Sequence, residues 1–233
     1  MSDVPSRSGL GSSSIFTANL IHSLKTLKNE KIDKYNICKD VIYLEQEILK
    51  ESVGIQDSIA GVFGGLNIIK IKNTYDFDVI PIKLKEEEIK HLEKSLLLFY
   101  TGIARTSSEI SSSYKNTIEL HKQNVELAEE CILAIYNKNF DKIGDLLNKN
   151  WKIKKKLSQL VTNNYIDEVY EKALLAGAIG GKICGSGGGG CLTVYIKEMY
   201  RDKVIQTVTS LGLIHIPYTI DFSGIQINKL EVG

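Results

Sequence analysis

Hydrophobic residues in the first third of the chain recur at helical spacing and then at strand spacing. Phe16, Leu20, Leu24 and Leu27 stand at i, i+4, i+8 and i+11, which predicts a helix beginning near the serines before Phe16. Serine is a common helix N-cap, so these serines are candidate caps. Two further helices are predicted over residues 35–51 and 58–63. Two strands follow at 66–71 and 77–82, and they are predicted to form a hairpin or a strand pair.

The rest of the chain combines a helical stretch with short strands. The charged run 83–93 predicts a connection with a short helix, and it divides the chain into candidate domains 1–85 and 86–233. A strand is predicted over 95–100, and the absence of Gly and Pro that follows predicts one long helix over about 107–137. Shorter helices are predicted to about residue 176, and one more helix is predicted over 197–211. Four strands complete the pattern, at 181–184, 191–196, 214–218 and 225–227. Clustered strands with inserted helices are typical of the α+β class.

Composition narrows the class of protein. The chain has 233 residues, 43% of them hydrophobic, which is enough for a sizeable core. Lys and Arg number 29 against 28 Asp and Glu, so no charge excess indicates binding to nucleic acid or an anionic membrane. No apolar run reaches the roughly 18 residues of a membrane span, and the N-terminus lacks a signal-peptide pattern. These features predict a cytoplasmic protein.

Cysteine and histidine usage fits the same interpretation. The cysteines are Cys38, Cys131, Cys184 and Cys191, and no two of them form a C-x-x-C pair. Reduced, mostly buried thiols are therefore expected. The histidines are scattered along the chain, so a His/Cys metal site is not expected.

A glycine-rich loop, Gly9-Leu10-Gly11-Ser12-Ser13-Ser14, leads directly into the first predicted helix. Glycines allow close backbone approach to a ligand, and free N–H groups at a helix start favour an anion. Serine hydroxyls donate to phosphate oxygens or bind Mg²⁺. The loop is neither a Walker P-loop nor a Rossmann fingerprint, since Ser14 occupies the third glycine position. An ordinary helix entry is the alternative interpretation.

Two carboxylates after this loop, Glu45 and Asp57, are candidates for phosphoryl-transfer chemistry. That reaction needs a metal ion to neutralise phosphate charge and a group that accepts or orients the hydroxyl proton. The alternative places Glu45 on a solvated helix face beside Glu47, and makes Asp57 the cap of the following short helix. The residues alone leave both interpretations open.

A second glycine-rich loop, Gly185-Ser186-Gly187-Gly188-Gly189-Gly190, formally contains G-x-G-x-x-G. A strand pattern follows it where a dinucleotide fingerprint requires a helix. The loop is either a flexible hairpin or a place of close backbone approach to another loop or a ligand. Arg105, between a predicted strand and a predicted helix, is positioned either to reach a phosphate or to remain solvated.

Taken together, these segments resemble the motifs of GHMP kinases. Pro5-x-x-x-Gly9-Leu10-Gly11-Ser12-Ser13-Ser14 is similar to the family's phosphate-binding motif, and Lys182–Cys191 is similar to its C-terminal glycine motif. Gly54-Ile55-Gln56-Asp57 resembles the segment that carries the family's catalytic aspartate. Gly64-Gly65 fits the heptose- and fucose-kinase branch, and Thr101-Gly102-x-x-Arg105 resembles a segment of the D-glycero-D-manno-heptose 7-phosphate kinases.

The resemblance implies a role for each candidate residue, with ATP and Mg²⁺ as nucleotide and metal. Asp57 is the expected catalytic base, and Ser13 and Glu45 are the expected metal ligands. The other implied roles are phosphate or ATP binding by Ser8, Gly9, Leu10, Gly11, Ser12 and Ser13, and substrate or phosphate contacts by Arg105, Gly187 and Gly188. The implied reaction transfers a phosphoryl group from ATP to a hydroxyl of a sugar or sugar phosphate.

The resemblance also implies a two-domain α+β fold. Its N-terminal domain carries the phosphate loop, its C-terminal domain has a ferredoxin-like α/β core with a helical insertion, and substrates bind between them. The family has strands and a further motif before this loop, so a truncated N-terminal domain is expected here. One alternative is a truncated or split kinase with little activity alone, complemented by a separately encoded N-terminal half. The others are a fucokinase- or galactokinase-like enzyme and a non-catalytic relative. A homodimer partner is a further expected possibility.

Overall fold

The computed structural model describes residues 8–51, 53–105, 107–115 and 118–227. Pro5 of the phosphate-binding motif lies outside the described residues. The α-helices within these ranges are α1 (Ser12–Leu27), α2 (Lys34–Ile42), α3 (Gln56–Phe63), α4 (Glu86–Ser95), α5 (Ser107–Ser112), α6 (Ile118–Tyr136), α7 (Asp141–Leu157), α8 (Asn164–Ala176) and α9 (Arg201–Ser210). The strands are β1 (Asn67–Asn73), β2 (Asp76–Pro81), β3 (Leu96–Tyr100), β4 (Ala178–Ile183), β5 (Cys191–Ile196) and β6 (Ile214–His215).

The described residues form two compact units. The first comprises Gly11–Lys83 together with 220–227, and the second comprises 8–10 together with Leu84–Thr219. The domain division at residues 85 and 86 stays a prediction. Within the described ranges, no helix has both the length and the apolar character that a membrane crossing needs. All four cysteines are free thiols, and each is buried or half-buried.

In the first unit, α1, α2 and α3 pack on one another around Ala18, Ile37 and Ile59. The helix predicted from the N-terminal apolar spacing is confirmed, although its larger side chains point away from this core. Phe16 is 70% exposed and Leu27 is 80% exposed. The buried residues of α1 are instead Ser14, Ala18 and His22.

The predicted serine cap of α1 is wrong. Gly11 occupies the N-cap position in the left-handed conformation, with φ 70°. Glycine adopts this conformation without steric cost, but it has no side chain with which to cap the first turn.

The hairpin predicted after α3 is confirmed. β1 and β2 pair antiparallel, with Ile69 opposite Val79. Phe77 is buried and stacks on Tyr35, with ring centroids 5.6 Å apart. The predicted strand at 225–227 is wrong, because that segment binds the end of α3 through a hydrogen bond from Ile225 N to Val62 O and joins no ladder.

The second unit is built on a four-stranded antiparallel sheet. The strand order is β4-β5-β3-β6, and Leu97 of β3 lies opposite Val194 of β5. Helices α7 and α8 pack against β4, so Trp151 of α7 and the sheet residues share one buried core. The core places the end of β4 and the start of β5 beside α7, where the second glycine loop connects them.

The single long helix predicted over residues 107–137 is wrong. Helix α5 ends at Ser112, and the following residues leave helical geometry before α6 begins. Tyr114 donates its hydroxyl hydrogen bond to Ser186 O, and Lys115 N donates to Leu157 O over 2.8 Å. The hydroxyls of Ser111, in α5, and Ser113, just after it, also donate to backbone carbonyls of α5, an alternative to helix continuation. Tertiary contacts therefore override the local helix preference.

Candidate active site

The first glycine loop places Asp57 against the start of α1. A Cβ atom on Gly11 would lie 2.9 Å from the Cβ of Asp57, so only glycine leaves room for this side chain. Asp57 is the second residue of α3 and is half-buried. The N-cap of α3 is Ile55, which shows that the capping role proposed as the alternative for Asp57 is wrong.

Glu45 lies in a π-helical segment, Tyr43–Ile48, that continues α2. Segments of this kind insert an extra residue per turn and are frequent at functional sites. Glu45 is only 3% exposed, whereas Glu47 is exposed, so the alternative of a solvated face is wrong for Glu45. Burial raises the pKa of the Glu45 carboxyl, and the negative charges of Glu51 and Asp57 raise it further.

The serines after Gly11 differ in their surroundings. Ser13 is exposed, whereas Ser14 is buried and its hydroxyl bonds to the Glu45 carboxyl, which opposes the rise in pKa. Successive helical residues point about 100° apart, so a shift of one position changes which hydroxyl faces Glu45. The sequence identified the serine cluster but could not show this direction, and Ser14 was missed as the partner of Glu45. The metal role of Ser13 stays a prediction.

The surroundings of Glu45 fit a divalent cation such as Mg²⁺. Its Oε1 atom is buried and has no hydrogen-bond partner among the described residues. No ion pair to Lys or Arg neutralises Glu45 in that part of the chain. The described residues contain no group of three or more His, Cys, Asp and Glu side chains placed to hold a metal ion. Mg²⁺ commonly takes one or two protein carboxylates and completes its shell with phosphate oxygens and water, so the buried Glu45 carboxyl is a chemically suitable ligand.

In the second unit, Ser8 and Gly9 lie against the other glycine loop. Ser8 is fully buried, and its carbonyl oxygen accepts a hydrogen bond of 2.9 Å from Cys191 N. A Cβ atom on Gly9, whose φ is 78°, would lie 2.8 Å from Nη2 of Arg105. Leu10 is half-buried. The phosphate-binding roles of these residues stay predictions. The structure shows that the backbone of Ser8 and Gly9 packs closely against its neighbours.

The second glycine loop is held by backbone hydrogen bonds. Gly190 N donates to Ile103 O over 2.8 Å, and Gly188 N donates to Val161 O over 2.6 Å. Gly187 also lies against Val161, since a Cβ there would stand 2.9 Å from Val161 O. The flexible-hairpin alternative is therefore wrong, and the glycines serve close backbone approach. The substrate roles of Gly187 and Gly188 stay predictions.

Cationic side chains gather beside this loop. Arg105 donates to Ser107 Oγ and, over 3.4 Å, to Cys184 O. Lys154 of α7 is 7% exposed and donates to Ile183 O over 3.1 Å and to Gly185 O. Burial, together with the charge of Lys182, lowers the pKa of Lys154 to about 7. Lys154 is not among the residues predicted from the sequence, although its position three residues after the buried Trp151 marks the inner face of α7.

Comparison with known families identifies this arrangement. The model of the GHMP kinase N-terminal domain matches residues 1–65, and the GHMP kinase C-terminal model matches residues 131–212. Together they cover more than half of the chain, and the matched segments contain both glycine loops, Glu45 and Asp57. The chain belongs to the GHMP kinase family. Its mixed helix and sheet architecture is the α+β fold of that family, as the resemblance implied.

Individual relatives are similar over most of the chain. A D-glycero-alpha-D-manno-heptose 7-phosphate kinase from Campylobacter jejuni is 30% identical over 216 residues, which are 89% of this chain and 63% of the relative. An L-fucokinase/L-fucose-1-P guanylyltransferase from Bacteroides fragilis is 30% identical over 205 residues, which are 84% of this chain and 21% of that protein.

A solved structure from Campylobacter jejuni, described as that of a sugar kinase, superposes with a TM-score of 0.77 at 27% identity. It covers 95% of this chain and 65% of its own. The chain thus spans less than two thirds of the length of these relatives.

Proposed function

We propose that this GHMP kinase transfers the γ-phosphoryl group of ATP to a hydroxyl of a sugar phosphate, with a 7-phosphorylated heptose as the first acceptor to test. The observation that carries the proposal is the position of Asp57 against Gly11, together with the buried Glu45 carboxyl beside Ser14. The similarity to a heptose 7-phosphate kinase supports the choice of acceptor. ATP is supplied in the cytoplasm, where we place the reaction.

In the proposed reaction, the residues Gly9–Ser13 hold the phosphates of ATP. Gly11 leaves the first-turn N–H groups of α1 without a side-chain cap, and such groups together with the helix dipole attract anions. Asp57 accepts the proton of the acceptor hydroxyl as its oxygen forms a bond to the γ-phosphorus, while the bond from that phosphorus to the β,γ-bridging oxygen breaks and ADP leaves. Glu45, with Ser13 or Ser14, would hold Mg²⁺. Bound there, the ion neutralises phosphate charge.

The first test replaces the proposed base. Asp57→Asn keeps the shape of the side chain but cannot accept a proton, so kcat is expected to fall about 10²–10⁴-fold. The KM for ATP is expected to change less than about 3-fold, because the substitution does not alter the glycine loop. A coupled assay of ADP release measures kcat and the KM for ATP. The assay uses the full protein that the gene encodes. Asp76→Asn in the exposed hairpin is the matched control and is expected to retain wild-type kcat.

An acceptor screen tests the substrate class. Turnover is measured with 7-phosphorylated heptose, the unphosphorylated heptose, L-fucose and galactose at equal concentrations. The proposal expects the highest kcat/KM with the sugar phosphate. A preference for L-fucose would instead support the fucokinase-like alternative, which the Bacteroides relative favours. Wild-type kcat in Asp57→Asn, with any acceptor, would show that Asp57 is not the base.

A further inference from the structure

Two lysines of the second unit, one buried and one half-buried, lie on neighbouring elements, and the charge of one acts on the other. Lys154 projects from α7 and bonds through Nζ to Ile183 O and Gly185 O. Lys182 lies on β4 opposite Thr193, half-buried, and its charge is the largest electrostatic influence on Lys154. Since an ammonium group has three protons, the two bonds to carbonyl oxygens leave Lys154 one further donor.

No carboxylate balances these two charges in the described part of the chain. Neither Lys154 nor Lys182 forms an ion pair there, although twelve other such pairs are present. The other charged groups that act on Lys154 are Arg105, which adds a third positive charge, and the Cys184 thiol. Buried charges are costly unless they are paired, so a group of cations of this kind favours an anion.

Two serine hydroxyl groups near the second glycine loop lack hydrogen-bond partners among the described residues. Ser8 Oγ is fully buried and has no hydrogen-bond partner among the described residues, and the same holds for the buried Oγ of Ser186. Ser186 directly follows Gly185, whose carbonyl Lys154 contacts, and Ser8 precedes Gly9, which lies beside Arg105. Buried polar groups are normally hydrogen-bonded, and two orphan donors beside three cations match the oxygens of a phosphate monoester.

We propose that Lys154, Lys182 and Arg105, with the hydroxyls of Ser8 and Ser186, bind a phosphate group that the acceptor already carries. This rests on the proposed function, because the residues Gly9–Ser13 and the Mg²⁺ that would bind beside them are assigned there to the phosphates of ATP. A phosphate monoester carries close to two negative charges at neutral pH, which three cationic side chains can balance. The site would make the enzyme select phosphorylated sugars over the corresponding free sugars.

The main test removes the charge of Lys182, whose side chain forms no hydrogen bond or ion pair with the described residues. Lys182→Met is expected to raise the KM for 7-phosphorylated heptose about 10–100-fold, the range of one charge-assisted hydrogen bond. The KM for unphosphorylated heptose and the KM for ATP are expected to change less than about 3-fold. Lys156→Met, at an exposed position of α7, is the matched control and should leave all three constants unchanged.

Two outcomes would overturn the site. Equal increases in KM for the phosphorylated and the free sugar would show that Lys182 has only a structural role. A selective rise in the KM for ATP would assign the cations to the nucleotide instead of the acceptor.

A binding measurement makes the inference independent of turnover. In the wild-type protein without ATP, titration with inorganic phosphate is expected to shift the amide resonances of Gly185 and Ser186, and Lys182→Met is expected to weaken this binding about 10-fold or more. Binding without phosphoryl transfer would contradict the proposed function while leaving the phosphate site intact. Absence of any shift of these resonances at phosphate concentrations up to about 100 mM would overturn the site.

Discussion

Charged side chains of the candidate site are buried to a degree that is rare for their residue types. Glu45 is 3% exposed and Lys154 is 7% exposed. Such residues are almost never buried without partners, and here the partners are the Ser14 hydroxyl and backbone carbonyls. Each burial favours the neutral form, which raises the pKa of the acid and lowers the pKa of the lysine. Both groups are therefore sensitive to the arrival of a counter-charge.

Glu45→Gln tests whether burial of the Glu45 carboxyl makes the stability of the protein depend on pH. Because the pKa of Glu45 is higher in the folded than in the unfolded chain, the folded state binds the proton more readily. The free energy of unfolding of the wild type should therefore rise relative to Glu45→Gln as pH falls through the raised pKa. This gain is complete below the ordinary glutamate pKa of about 4.3. Urea unfolding of both proteins in EDTA, at pH values above and below the raised pKa, measures the difference in their free energies of unfolding.

The same variant tests the metal. At pH 8, Mg²⁺ at one hundred times its Kd should stabilise the wild type by about 2.7 kcal/mol and should stabilise Glu45→Gln much less. Glu47→Gln, at the neighbouring exposed position, is the control and should behave as the wild type in both experiments. Parallel stability curves for wild type and Glu45→Gln would show that Glu45 is not desolvated in the folded chain.

At the scale of elements, the second glycine loop is a packed connection between β4 and β5. Gly190 has a φ of 77°, and a Cβ atom there would clash with Ser8 O. The Gly190 carbonyl also accepts hydrogen bonds from the backbone N and the hydroxyl of Thr101, each over 2.8 Å. The sequence indicated close approach as one of two alternatives, but it could not show what the loop approaches, because the partners lie far away along the chain.

Two alanine substitutions separate backbone conformation from crowding in this unit. Gly190→Ala and Gly102→Ala both place a Cβ atom at positive φ, 77° and 74°, which costs about 1 kcal/mol. Only Gly190 is crowded, so Gly190→Ala is expected to lose about 2–4 kcal/mol in all. Denaturant unfolding measures both variants. Equal losses in the two variants would show that the contact with Ser8 is not tight.

At the scale of the whole molecule, each compact unit has its own buried core and its own buried thiol. Cys38 belongs to the core of the first unit, and Cys191 lies at the start of β5 in the second. Both are fully buried, and burial raises the pKa of each thiol to about 12. Since the thiolate is the reactive species, neither should react while its unit is folded.

Thiol labelling therefore reports the opening of each unit separately. In native conditions at pH 8, iodoacetamide is expected to modify Cys131, which is half-buried, faster than Cys38 or Cys191 by at least about 10-fold. Ile37→Ala, which removes a fully buried side chain beside Cys38, should accelerate labelling of Cys38 because it destabilises that core by about 2–5 kcal/mol. Mass spectrometry of digested protein measures each site. Rapid native labelling of Cys191 would contradict its burial.

Elements with a local signal were predictable from the sequence alone. Apolar spacing predicted α1 and the hairpin, and both predictions are confirmed because helix and strand periods are properties of neighbouring residues. The ordered motifs pointed to both glycine loops and to the carboxylates Glu45 and Asp57, whose functional roles stay predictions.

Only the tertiary structure decided which groups meet. It placed Ser14 rather than Ser13 beside Glu45, and it broke the helix after α5 through the bond from Tyr114 to Ser186 O. It also brought Lys154 to Gly185, 31 positions away along the chain. Such contacts depend on side-chain direction and on packing between distant segments, and neither is encoded in a local pattern.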